Sequence, residues 1–429
     1  MFCPHKNSFL QLVCAVNPRV INKAVDQAMQ VQHFDPHTEI PPAQRLESMQ
    51  PSLYAPHVDI TRARLGFGRI GIRLIVRDLH SSDPYIKLQA LHTVLDQLQI
   101  SENAMHLINL HIAHRLVDLM LVRNPIVREK VCLILTVLAS YQQGRAQILT
   151  RPLIITNLVW LTMRGRKEIR YASAYTLKTL SQHLCCCEAM MAQEQIVDNL
   201  LKMIKNDHTG IVLLHLRTMS NLCDWDPVPA LRANAFQVML ALFKNKDERI
   251  VAASMECMAQ LCSHTIGKEL ADMNDITFVL RPFLLSTSIF IKISAAGLMQ
   301  YTTLTTRSKW RAKEVCNDLT KVLVNLCHHT NSPILQLRCI QILINLCDCP
   351  DIRYHMKAHW EKKVKRITIC SLELWDGTDE IKFYGLDTGI KGRLFFDKNP
   401  ELVNLQTYIK RVYEAKKQLI AAINWTPYD

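Results

Sequence analysis

The sequence predicts an all-α chain of stacked helical repeats. Three observations carry this expectation. An apolar pattern returns every 39 to 44 residues from Ile86 onward. Glycine is scarce, 12 in 429 residues, although mixed α/β enzymes need it for turns and phosphate loops. Short polar turns, three of them with proline (Pro84, Pro125 and Pro333), separate the apolar stretches.

The repeat is read from its anchors: Ile86, Val127, Ile169, Ile211, Ile250, Ile291 and Leu335. Val127 is followed by Val131, Leu135 and Leu138, and Ile250 by Ser254, Met258 and Leu261. Residues four, eight and eleven after an anchor share one face of a helix, so each anchored helix buries a single stripe. Ala90, Ser173, Ser254 and Ala295 place a small residue at the second slot, where neighbouring helices must approach closely. A second apolar helix precedes the anchored one, as in "ITNLVWLTM", "VDNLLKMI", "FQVMLALF" and "FVLRPFLL". Asp83-Pro84 and Asn124-Pro125 break one helix and start the next, with proline in its first turn. A short first helix fits at "ENAMHLINL" and "RAQILTRP". Three helices in about 42 residues is the armadillo pattern, and two would be the HEAT pattern. The fold expected is therefore an armadillo α-solenoid of about seven to eight repeats.

The flanks differ. Residues 1–58 hold Pro4, Pro18, Pro36, Pro41, Pro42, Pro51 and Pro56, which exclude a continuous helix between Pro36 and Pro56. They read as a proline-rich arm with one short helix near Arg19–Gln32. Residues 59–360 form the expected solenoid. Residues 361–429 read as a degenerate repeat, with a glycine-bearing insertion (Gly377, Gly385, Gly389, Gly392) and a capping helix from about Pro400 to Asn424.

Composition narrows the function. The formal charge is +13, which points to acidic partners: nucleic acid, an anionic membrane or acidic protein surfaces. The N-terminal apolar run lacks an A-x-A cleavage site. The run Val131–Ala139 is far too short to cross a bilayer. An intracellular chain with reduced thiols and no membrane partner is expected. Of the 15 cysteines, Cys223, Cys262 and Cys347 each lie twelve residues after an anchor. Repetition at one register position points to packing, not redox chemistry.

"LGFGRIG" carries G-x-G-x-x-G at Gly66, Gly68 and Gly71, the dinucleotide fingerprint. The preceding "HVDITRARL" is no buried parallel strand, because Arg62 and Arg64 interrupt it, and no βαβ pattern follows. The segment is read instead as the N-terminal cap of the array, with Phe67 as a plug and Gly68 easing entry into the first helix. Cys347, Cys349, His355 and His359 have zinc-ligand types, but their spacing matches no common zinc module. There is no H-E-x-x-H, G-x-S-x-G or P-loop, so no catalytic residue, cofactor or small-molecule substrate is expected. Basic clusters lie at Arg164–Arg170, Arg307–Lys313 and Arg353–Arg366. The third is the densest, and Arg353, Lys357, Lys362, Lys363, Lys365 and Arg366 form the candidate surface for an anionic partner.

Two further comparisons bear on the class of armadillo protein. Importin-α-type adaptors line their groove with repeated Trp and Asn, six and ten residues after each anchor. Here the first slot holds His92, Leu133, Tyr175, Arg217, Glu256, Gly297 and Gln341, and only Asn221 and Asn345 appear in the second. Such an adaptor is not expected. The stretch Val58–Leu98, with Asp59, Thr61, Ala63, Phe67-Gly68-Arg69 and "LQALHTVLDQL", resembles the opening of the radial spoke head 14 family. The terminal "IAAINWTP" resembles that family's closing helix. The resemblance implies a non-catalytic structural component of the ciliary or flagellar axoneme. Its setting would be the radial spoke, which links doublet microtubules to the central pair and relays signals that control dynein. Its partners would be other spoke proteins and, for its basic surface, acidic tubulin. The alternative is a soluble cytoplasmic armadillo adaptor in signalling, trafficking or ubiquitin pathways. Nucleic acid rests on net charge alone and is not expected as a partner.

Overall fold

The computed structural model describes residues 68–193, 195–330, 332–369 and 405–426, together with Lys23, Asp26 and Gln27. The side chains of the first and last helices are described from Gly71 and Lys410. Most of the expected arm, Phe67 and the glycine-bearing segment lie outside the described residues. Lys23, Asp26 and Gln27 are helical, within the span where the sequence predicts a short helix.

Among the described residues there is no strand. The chain opens with α1 (Gly68–Asp78) and α2 (Pro84–Gln97). Triads follow: α3 (Ser101–Asn109), α4 (Ile112–Leu116) and α5 (Pro125–Ser140), then α6 (Gln142–Leu149), α7 (Leu153–Arg164) and α8 (Lys167–Ser181). Next come α9 (Leu184–Met191), α10 (Ile196–Asn206) and α11 (Thr209–Trp225), then α12 (Val228–Arg232), α13 (Ala235–Leu242) and α14 (Glu248–Leu261). In the following triad α15 (Thr265–Met273) leads to α16 (Ile276–Val279), α17 (Arg281–Leu284) and α18 (Ile289–Thr302). The next triad is α19 (Thr306–Glu314), α20 (Cys316–Cys327) and α21 (Pro333–Leu346). The last is α22 (Pro350–His359), α23 (Glu361–Lys365) and α24 (Leu405–Asn424). Three helices per unit is the expected pattern. Two second helices are split: "HRLVDLML" ends as α4 at Leu116 and continues as a 3-10 turn over Asp118–Leu121, and in "FVLRPFLL" Pro282 removes a backbone donor between α16 and α17.

Contacts divide the chain into two units. One takes in residues up to Leu158 with Gly165–Thr176, the other Val159–Arg164 with Leu177 onward. In the first unit α2 packs on α5. The Thr136 and Thr176 hydroxyls lie 2.8 Å apart, and Thr176 donates to the Cys132 carbonyl at 2.9 Å. These buried hydroxyls satisfy each other, which removes the cost of taking them out of water. In the second unit α11, α14, α18, α21 and α24 pack each upon the next. Ser254 and Ala295, the predicted small residues, are fully buried between them. His215 and Cys339 occupy the same register slot and are also fully buried.

Helix α24 occupies the place of the next third helix. Val412, Ala415, Leu419 and Ile423 form its buried stripe, and it packs on α21, α22 and α23. The described helix runs Leu405–Asn424, and the stretch from Pro400 expected to open the cap lies outside the described residues.

The third helices start as the sequence predicts. Asp83 Oδ1 accepts from the Tyr85 amide at 2.8 Å, and Asn124 Oδ1 from the Ile126 amide at 3.0 Å, each followed by proline. Asp247 and Ser332 cap α14 and α21 in the same way. The turns into the second helices follow a rule that the residue types hide. His111, Gln195, Asn234 and Asp275 all have positive φ, between 47° and 63°, and each directly precedes α4, α10, α13 or α16. Non-glycine residues pay roughly 1–2 kcal/mol in this conformation. The first helices meet the preceding third helix closely. A Cβ on Gly267 would lie 2.0 Å from the Leu261 carbonyl oxygen, and one on Gly144 would lie 2.1 Å from that of Leu138.

Two outcomes follow for stability. Gln195→Gly relieves the left-handed strain and raises stability by about 0.5–1 kcal/mol, net of glycine's larger unfolded-state entropy. The urea midpoint measures it. Gly267→Ala drives a methyl into backbone and lowers stability by about 1–3 kcal/mol or more, seen as a lower midpoint in the same titration.

Candidate interaction surfaces

The third helices of the second unit carry a ladder of polar side chains. Six and ten residues after the anchors stand Arg217 and Asn221 on α11, Glu256 and Gln260 on α14, Gly297 and Tyr301 on α18, and Gln341 and Asn345 on α21. All except Gly297 are half-buried. Glu256 sits at the centre. Its carboxylate accepts from Arg217 Nη1 at 3.2 Å and from Ser294 Oγ at 3.3 Å, so it ties α14 to both neighbours. Arg338 Nη1 donates to the Ile293 carbonyl at 2.8 Å, in the space left by the missing side chain of Gly297. Asn345 Nδ2 donates to the Gln300 carbonyl at 3.0 Å, and Asn221 Nδ2 to Ser181 Oγ at 2.9 Å. These asparagines clamp adjacent helices to one another.

Ion pairs link neighbouring repeats elsewhere on the second unit. Lys309 meets Asp348 at 2.6 Å, Lys313 meets Asp351 at 2.5 Å, and Arg311 meets Asp275 at 2.6 Å. The Arg311 guanidinium beside Asp275 holds its carboxyl below the usual range. Such exposed pairs are screened by water and add little to stability. The second basic cluster lies on α19, with Lys309, Arg311 and Lys313 each paired across to the neighbouring repeat. Near it, Phe278, Arg281, Pro282, Leu285, Leu319 and Val322 line an open groove of about 640 Å³ beside the split helix.

The third basic cluster spans α22 and α23. Lys357, Lys362, Lys363, Lys365 and Arg366 are exposed. Arg353 is 6% exposed and lies under the Trp425 ring, 4.6 Å from its centroid, so it anchors α24 and does not face solvent. Lys363 lies over Trp360 at 4.6 Å. Lys365 donates to Glu361 at 2.7 Å, and Asn424 Nδ2 to the same carboxylate at 3.3 Å. The Lys365 contact, then the Asn424 contact, hold the Glu361 carboxyl below its ordinary value. Sequence reading found this cluster but missed the part of α24 beside it, because Leu405 comes 39 positions after Arg366.

The remaining candidates are placed as follows. Gly68 is the first residue of α1, and Phe67 lies outside the described residues. Cys347 and Cys349 are buried, and the His355 and His359 rings stand 4.7 Å apart on α22. Among the described residues no three His, Cys, Asp or Glu side chains are placed to share a metal ion. Burial pushes the Cys262 and Cys347 thiols up to about 12. Cys223, beside Cys257, is also held well above the ordinary value by their contact and by burial. Among the described residues no helix is long and apolar enough to cross a membrane.

No protein-family model matches the chain, and no curated protein sequence matches it. Solved structures do. An engineered protein matches over 81% of this chain and 89% of its own, with a TM-score of 0.58 and 16% identity. A designed armadillo repeat protein in complex with the peptide (KR)4 matches over 54% of this chain and 99% of its own, with a TM-score of 0.50 and 13% identity. A computationally designed armadillo repeat protein for modular peptide recognition matches over the same shares, at 0.50 and 12%. At these identities the likeness shows the fold, which is the all-α armadillo type.

Thiol reactivity tests the packing role of the cysteines. Treated with iodoacetamide near neutral pH, exposed Cys185 is alkylated rapidly, while Cys262 and Cys347 react only as fast as the chain unfolds. Peptide mapping of the time course distinguishes them, and rapid labelling of Cys262 in the folded chain contradicts the packing role.

Proposed function

We propose that this chain is a non-enzymatic interaction scaffold of the ciliary or flagellar axoneme. Its place there is the radial spoke, where it holds neighbouring spoke proteins in register between the doublet microtubules and the central pair. The observation that carries this reading is the sequence resemblance at the two ends, Val58–Leu98 and Ile420–Pro427. Much of these stretches forms α1, α2 and the end of α24, the outermost helices described. The armadillo-type fold supports a scaffold, because stacked helices offer long side-chain faces and no enclosed reaction pocket. The similar designed proteins include one solved with a bound peptide and one made for peptide recognition. The polar third-helix face of α11, α14, α18 and α21 is the corresponding surface here. The net charge of +13 favours docking near acidic tubulin.

Localisation of a tagged copy in ciliated cells or sperm tests the placement. The expected signal runs along the axoneme, and deletion removes or distorts spokes and impairs beating. A diffuse cytoplasmic signal with intact spokes and normal motility overturns it in favour of a cytoplasmic adaptor.

A further inference from the structure

The last triad gathers charge that the sequence keeps apart. Its described residues, 350–369 and 405–426, hold Arg353, Lys357, Lys362, Lys363, Lys365, Arg366, Lys410, Arg411, Lys416 and Lys417 against only Asp351, Glu361 and Glu414. Asp351 is taken by Lys313, and Glu361 by Lys365 and Asn424. Three contacts fix α24 beside α22 and α23. Lys416 Nζ donates to the Ile367 carbonyl at 2.8 Å, Asn424 Nδ2 to Glu361, and Trp425 stacks on Arg353. Lys410 and Arg411 then project from α24 roughly 9 Å along the helix from the Lys416 contact.

We propose that the exposed cations of α22, α23 and α24 form one bipartite surface that binds an acidic, extended stretch of a partner protein. The inference rests on the scaffold reading above and is independent of where in the cell the scaffold sits. Charge complementarity selects the sign of the partner, and the aromatic groups select its class. The rings of Trp360, Trp425 and Tyr413 already carry Lys363, Arg353 and Lys417 at 4.3 to 4.6 Å. A single-stranded nucleic acid gains much of its affinity by stacking bases on open rings, and one face of each of these three rings is already covered by a cation. An interfacial membrane site needs an apolar face to insert. The large exposed apolar side chains of the described part of this triad are Tyr354, Tyr413 and Trp425, with no aliphatic one. Carboxylates need only the exposed ammonium and guanidinium groups. An extended chain also lets successive carboxylates reach Lys357, Lys362 and Arg366 on one side and Lys410 and Arg411 on the other.

The test uses the full chain and a fluorescein-labelled oligoglutamate peptide, read by fluorescence anisotropy at low and high salt. Binding at low salt that weakens as salt rises is expected. Reversal of either half, Lys362→Glu with Arg366→Glu or Lys410→Glu with Arg411→Glu, weakens binding about tenfold or more. Lys202→Glu with Lys205→Glu on α10 serves as the control, and leaves binding within about twofold. Circular dichroism melting checks each fold, and the corresponding Gln variants replace any that melt early. An α24 variant that binds as well as wild type overturns the bipartite surface. So does a control that weakens binding as much as the α23 variant. Tighter binding of oligothymidylate, or of phosphatidylserine vesicles, than of the peptide at equal salt overturns the assignment to an acidic protein.

Discussion

Every unit of this chain depends on the close approach of one third helix to the next. A single amphipathic helix cannot bury its stripe alone, and no sheet exists among the described residues to cover it. The residue four positions after the anchor decides how near the neighbour can come. Ala90, Ser173, Ser254, Ala295 and Cys339 keep that contact tight, and all are fully buried. His215 fills the slot with a larger ring and is still fully buried, so the packing around α11 accommodates it. The polar ladder is a consequence of this approach. Arg217, Ser294 and Asn345 reach the adjacent helix only because their backbones are already held close.

That spacing sets demands on the turns. If the third helices are in contact, the first helix must leave the end of one and cross it at backbone distance. Gly144 and Gly267 stand where this crossing leaves no room for a Cβ. The chain must then reverse into the second helix within one or two residues, and a left-handed residue does so most compactly. Four of these turns use His, Gln, Asn or Asp. The strain at each is small beside the apolar surface buried by the helices it joins, so the fold tolerates it and glycine stays scarce.

The parts legible in the sequence are those in which a residue type has one physical meaning. Asp83-Pro84 and Asn124-Pro125 can hardly do anything but start a helix, whereas "FVLRPFLL" was read as one helix on its apolar run and Pro282 breaks it. The anchors and small slots are legible because burial forces their period. The left-handed turns were not legible, since Gln195 or His111 at positive φ is chosen by the surrounding packing and not by its own preference. The clamp roles of Asn221 and Asn345 were hidden for a similar reason: the residue type fits both a ligand ladder and an internal bond, and only the distances separate them. Arg353 was grouped with the exposed cations because sequence proximity is blind to Trp425. The seat of α24 against α21 was legible only in part. Its amphipathic pattern predicted a cap, but the insertion before it breaks the repeat period that would have marked it as a third helix.

The seat of α24 bears on why charge collects beside it. Lys410, Arg411, Lys417 and Gln418 lie on the part of its surface left exposed by α21, α22 and α23, which must be one that water accepts. Lysine and arginine serve this need well, because their aliphatic stems cover apolar area while their heads remain hydrated. Lys363 over Trp360 and Lys417 over Tyr413 set exposed heads against aromatic rings, while buried Arg353 packs its guanidinium on Trp425. The cap is thus basic first for reasons of packing. Once those cations are committed, Lys357, Lys362, Arg366, Lys410 and Arg411 remain exposed with few carboxylates beside them. Helices already seated by burial lose little further entropy when an oppositely charged chain settles on them, so the packing that seats α24 also prepares a binding face.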